Sequence, residues 1–88
     1  MYRVAWLEAA VAQVAEAWVD ADSSLRAAIT AAANEIDATL REAPYDTGES
    51  RSEGRRLLIV PPLGAVFHID AQRRTVVILR AWVFRRRP

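Results

Sequence analysis

Cysteine is absent from the 88-residue chain, and so is lysine. Without thiols there can be no disulfide, no cysteine zinc site and no thiol nucleophile. Packing alone must then hold the fold, and the cytoplasm is the expected compartment. His68 is the single histidine, so no histidine pair exists to bind a metal. No phosphate-binding glycine loop and no Ser/His/Asp set is legible either. The expectation is therefore no metal and no cofactor. No uncharged run approaches the ~20 residues of a bilayer crossing. Charges recur in the first apolar stretch after Met1-Tyr2-Arg3-Val4, so neither a membrane span nor a signal peptide is expected.

What is present is apolar: 52% of residues, enough for one small core. Length and texture predict a single domain over residues 1–88, with the marginal stability of its size. The net charge of +1 conceals a segregation. Residues 1–50 hold three arginines against nine carboxylates, whereas residues 51–88 hold nine arginines against two. Codon bias toward GC-rich DNA accounts for arginine in place of lysine without any function. Segregation along the chain suggests more, a fixed positive field offered to an anionic partner. Guanidinium also suits bidentate contact with phosphate or carboxylate.

Two textures organise the chain. Leu7, Ala10, Val11, Val14 and Trp18 form one helical stripe, and Leu25, Ala28, Ile29, Ala32, Ile36 and Leu40 form a second. Between them, Asp20 to Ser24 supplies short polar side chains fit to cap a helix start. Ala43-Pro44 closes the second helix. A polar loop from Pro44 to Gly54 follows, then three β-prone runs: Arg56–Val60, Leu63–Ile69 and Thr75–Phe84. The last is apolar on both faces near its start, which predicts a central strand. Tyr2–Trp6 reads as an extra strand beside it. The expected fold is α+β, β-α-α-β-β-β, a helical hairpin on one face of a mostly antiparallel sheet. Trp18, Ile29, Ile36, Phe67 and Leu79 are the expected core.

The candidates for chemistry are mostly arginines. Arg85, Arg86 and Arg87 follow the last strand, Arg80 projects from within it, and Arg51, Arg55 and Arg56 flank the first strand of the hairpin series. Sheet pairing would bring these together. One reading is a working basic surface; the other is a solvated tail that keeps an apolar strand soluble. Trp82, Phe84 and Tyr45 interleave with the cations. That mixture suits RNA bases and phosphates and a protein hot spot equally well. His68 lies mid-strand on the face opposite Phe67 and Ile69, either as a partly exposed position without duty or as a base or phosphate contact near neutral pH.

With Asp46-Thr-Gly-Glu-Ser-Arg51, Phe67-His-Ile-Asp70 and Thr75-Val-Val-Ile-Leu-Arg-Ala-Trp82 leading into Arg85-Arg86, the chain resembles the RelE/ParE superfamily, the toxins of type II toxin–antitoxin pairs. The resemblance spans nearly the whole chain by pattern. It implies a cognate antitoxin protein as partner and one of two actions. RelE-like members cut messenger RNA on the ribosome, with cations offsetting the charge of the phosphate transition state. ParE-like members poison DNA gyrase by protein contact. A third outcome is an inactive interaction module. The basic half leans the expectation toward RNA cleavage and growth arrest. In that reading Arg85, Arg55, Arg56 and His68 are catalytic, while Arg51, Arg80, Arg86 and Arg87 bind RNA. The arginine that RelE-like enzymes carry in the middle strand falls at or near Gly64 and is missing, and their C-terminal tyrosine has no counterpart through Pro88.

Overall fold

Asp22 opens the longer of two helices: its carboxylate accepts a 2.8 Å hydrogen bond from the Leu25 N–H, the contact that the polar cluster anticipates. In the computed structural model, which describes residues 1–84, this helix (α2) runs Ser23–Glu42 and follows a shorter one (α1), Glu8–Val19. Arg26 clasps the two. Its guanidinium donates to the carbonyls of Trp18 and Val19, both at 2.8 Å, groups that the end of α1 leaves without intrahelical donors. No described helix is long and apolar enough to cross a membrane.

Five strands form one sheet: β1 (Arg3–Trp6), β2 (Glu49–Ser50), β3 (Arg55–Val60), β4 (Leu63–Asp70) and β5 (Thr75–Val83). Their spatial order is β1-β5-β4-β3-β2. β1 lies parallel to β5, and every other neighbouring pair is antiparallel. β5 is therefore interior, as its two apolar faces predict. β2 lies within the stretch that the sequence marks as a polar loop. Two residues carry no readable alternation, and they are extended because they pair with Leu57 and Arg56 of β3.

Both helices cover one face of the sheet. Ala10 of α1 and Ile29, Ala32, Ile36 and Leu40 of α2 pack there on Leu63, Ala65 and Phe67 of β4 and on Val76, Ile78 and Ala81 of β5. Ile29, Ile36 and Phe67 are buried as expected; Leu79 and Trp18 are not in the core. The cause at Leu79 is a bulge. Phe67 pairs with Ile78 and Val66 with Arg80, so Leu79 has no partner on β4. The extra residue reverses the side-chain phase. Val76 and Ile78 point at the helices, and after the bulge Ala81 and Val83 do so instead of Arg80 and Trp82. Trp18 stays 40% exposed because α1 buries only its Ala10 and Val14 edge, leaving Val11 and Trp18 beside an open seam.

Candidate functional site: the open sheet face and the loop cleft

The sheet face turned away from the helices is made of the alternate residues of β3, β4 and β5. Read across the pairing, its rows are Arg55–His68–Val77, Leu57–Val66–Arg80 and Ile59–Gly64–Trp82. Arg55 and His68 are thus direct cross-strand neighbours, close enough for their side chains to interact. Arg55 and Arg80 are exposed, and neither forms an ion pair among the described residues. The acid at the lower edge, Asp70, is engaged by the Arg73 backbone N–H at 3.1 Å.

The third row has an unusual construction. A Cβ placed on Gly64 would stand 2.5 Å from Cε2 and Cζ2 of Trp82 and 2.7 Å from Nε1. The indole therefore lies across the glycine and buries it, although Gly64 points away from the core. Ile59, next to it on β3, is 48% exposed, and Phe84, just beyond β5, is 37% exposed. The centre of this face is apolar, with cations at its margin.

The loop before β3 makes a separate cleft of about 200 Å³, lined by Tyr45, Ser50, Arg51, Arg55 and Arg56 among others. A 2.7 Å bond from the Arg51 N–H to the Arg55 carbonyl pinches its base. Arg56 faces inward and holds the loop. It donates to the Thr47 carbonyl (3.1 Å), to Ser50 Oγ (2.9 Å), and to the carbonyls of Tyr45 and Gly48 (both 3.3 Å). Its donors are thereby committed to the chain itself. Arg51 pairs loosely with Glu49 at 3.3 Å in solvent. Partial burial, and then the neighbouring Tyr2 hydroxyl, push the Tyr45 phenol above its ordinary range.

The fold thus joins Arg55 with His68, and Arg51 with Arg55 and Arg56, and sets Arg80 two strands from Leu57 on the His68 face. Arg85, Arg86 and Arg87 lie outside the described residues. Sequence reasoning missed two features. One is the seat of Trp82, whose only sequence signal is a glycine amid β-branched and aromatic residues. The other is a groove of about 420 Å³ between α1 and α2, lined by Trp6, Val11, Val14, Trp18, Ile29 and Ala33 among others. Its signal is a helical stripe with more apolar residues than one neighbour can cover.

No family model matches the sequence, and no curated protein matches it. Solved structures do. A chain of the chromosomal ParDE toxin–antitoxin system of Pseudomonas aeruginosa superposes with a TM-score of 0.72 at 21% identity, covering 97% of this chain and 98% of that one. The fold is that of the RelE/ParE toxins. A chain of the RelBE2 toxin–antitoxin complex of Mycobacterium tuberculosis gives 0.70 at 23% identity, over 94% of this chain and 98% of that one. The isolated RelE toxin of Escherichia coli gives 0.63 at 12% identity, over 99% and 88%. The RelE/ParE fold accounts for the helical hairpin, the parallel β1–β5 pair and the open sheet face together.

Proposed function

We propose that this chain is the toxin of a type II toxin–antitoxin pair, and that in the cytoplasm it arrests growth by gripping a protein target, with DNA gyrase the target that a ParE-like action implies. The toxin reading is supported by likeness over nearly the full length of both chains. The mode of action rests on one observation, the indole of Trp82 lying across Gly64. RNA cleavage needs fixed cations where charge develops on phosphate. Here the RelE-like arginine is expected at or near Gly64, which has no side chain and where any Cβ would collide with the indole. What remains at the centre of the face is apolar surface of the kind that anchors protein contacts.

A second reading, ribosome-dependent cleavage of messenger RNA, is favoured by the direct pairing of Arg55 with His68. His68 would then move the proton of the attacking 2′-hydroxyl, while Arg55 and Arg85 offset the charge on phosphorus; Arg56, expected to share that role, spends its donors on the loop instead. Arg51, Arg80, Arg86 and Arg87 would hold the RNA.

The antitoxin is assigned to the groove between α1 and α2. Its apolar lining fits the stripe of an amphipathic helix. Glu8, Glu16, Asp20, Asp22, Glu35, Asp37 and Glu42 outnumber the cations of this layer, which favours basic residues along that helix's edges. Induced expression followed by pulse labelling tests the choice of mechanism. Replication should stop first while translation continues; early loss of translation would replace gyrase by RNA, and unimpaired growth would remove the toxin reading.

A further inference from the structure

The bulge at Leu79, the bare backbone at Gly64 and the indole of Trp82 are three separate sequence choices with one result. Without the extra residue in β5, the alternation set by Val76 and Ile78 would turn Arg80 and Trp82 under the helices. With it, both stand on the open face. A bulge that re-aims side chains is a built feature, common beside binding and catalytic sites. Gly64 is not demanded by backbone conformation, because its φ lies outside the left-handed region. It is demanded by space, since any Cβ would meet the indole.

The surroundings define what such a ring could hold. Ile59 and Phe84 extend the apolar surface on either side of Trp82. Arg80 and Arg55 border it toward the middle and lower rows, exposed and with no carboxylate partner among the described residues. Along the free edge of β5 the border changes sign, because Glu16 of α1 and Asp20 just after it line a shallow cleft with Trp82. Apolar centre, cations on one flank and acids on the other is the layout of an oriented protein contact. Fixed charges on the two flanks set direction, and a rigid aromatic supplies the buried anchor.

We propose that Trp82, held in place by Gly64, is the anchor of the target contact, and that the partner is a protein offering an apolar recess bordered by carboxylates on the side that meets Arg80 and Arg55. This rests on the reading of the chain as a toxin that works by protein contact. It adds which residue makes the contact, how the backbone holds it, and the chemistry of the surface it meets.

The test uses the full chain with Gly64→Ala, Trp82→Ala, Arg80→Glu, Arg80→Lys and, as control, Gln72→Ala in the exposed turn. Gly64→Ala keeps the indole and removes its seat; Trp82→Ala removes the ring and creates no clash. Thermal unfolding establishes that each variant folds. The indole N–H signals in a nitrogen–proton NMR spectrum, assigned with Trp82→Phe, should show Trp82 alone displaced in Gly64→Ala. On induction, Gly64→Ala, Trp82→Ala and Arg80→Glu should weaken growth arrest about tenfold or more, as loss of a central anchor does. Arg80→Lys and Gln72→Ala should retain it. Full arrest by folded Gly64→Ala and Trp82→Ala would overturn the inference while leaving the toxin reading intact. No arrest by the wild-type protein would overturn that reading and the inference with it. A photo-reactive residue in place of Ile59 decides the class of partner, and an adduct destroyed by ribonuclease would overturn the assignment to a protein.

Discussion

The side chain of Gln13, on α1, accepts a 3.1 Å hydrogen bond from the backbone N–H of Ala81, on β5. β1 pairs with β5 only from Thr75 to Ile78, and the Leu7 N–H closes on the Ile78 carbonyl at 3.0 Å. Past that point no strand among the described residues covers this edge of β5, and α1 takes the place of one. Ala81 is fully buried, so water is a poor substitute for the lost partner. Gln13→Ala should cost about 1–3 kcal/mol, the penalty of a buried donor left unmade. Denaturant unfolding measures it. A loss under about 0.5 kcal/mol, the range of ordinary surface changes, would mean that the N–H finds another acceptor.

Ile78 and Leu79 are neighbours with opposite fates. Ile78 is fully buried among α1, α2 and β4, while Leu79 is the unpaired residue of the bulge and only half-buried. Ile78→Ala should therefore cost about 2–5 kcal/mol, as deletions in a close-packed core do. Leu79→Ala should cost less than half as much. Equal losses in the two variants would place the bulge elsewhere in β5.

That pair also marks where the sequence stopped being legible. The helical stripes, the stop at Pro44 and the β-prone runs were readable because each is a local periodicity, and Ile29, Ile36 and Phe67 followed from them. One inserted residue is enough to reverse a two-residue period, and nothing local to Thr75–Phe84 announces the insertion, since both faces there are apolar. Trp18 failed for another reason. A stripe reports which residues are apolar but not how far its neighbour extends, and α2 leaves the outer edge of α1 uncovered. For the site, Arg55 and His68 could be named from residue type, yet their adjacency depends on the β3–β4 register. The four bonds made by Arg56 depend on a loop conformation that composition does not encode.

Arg55 and Arg56, adjacent in sequence, should separate cleanly when each is removed. Arg56 holds the backbone carbonyls of Tyr45, Thr47 and Gly48 and the Ser50 hydroxyl; Arg55 is exposed beside His68. Arg56→Ala should destabilise the protein by at least about 1.5 kcal/mol, since hydrogen bonds from a charged donor contribute more than neutral ones. Arg55→Ala should stay within about 0.5 kcal/mol of wild type. Thermal or denaturant unfolding of the two single variants decides it. The outcome also bears on activity, because a loss of toxicity in Arg56→Ala that tracks its loss of stability would assign that arginine to architecture.

The groove between α1 and α2 yields the last prediction. Val11 is 49% exposed and Trp18 is 40% exposed, and the Arg26 guanidinium sits 4.4 Å from the centre of the Trp18 ring. This seam lies on the helical layer, away from the sheet face that carries Trp82, so the two surfaces can be damaged independently. Placing a carboxylate in the groove would force an incoming apolar helix to bury a charge without a partner, an arrangement that opposes association strongly. Val11→Asp and Trp18→Glu should therefore remain toxic while escaping neutralisation by the antitoxin, with affinity weakened about tenfold or more. Each variant would be co-expressed with the antitoxin, growth scored, and binding measured by titration of the purified pair. Trp18→Glu also gives up the contact with Arg26, so Val11→Asp is the cleaner of the two. Full neutralisation of Val11→Asp, with unchanged affinity, would move the antitoxin off this groove. Loss of toxicity in folded Val11→Asp would mean instead that the groove faces the target.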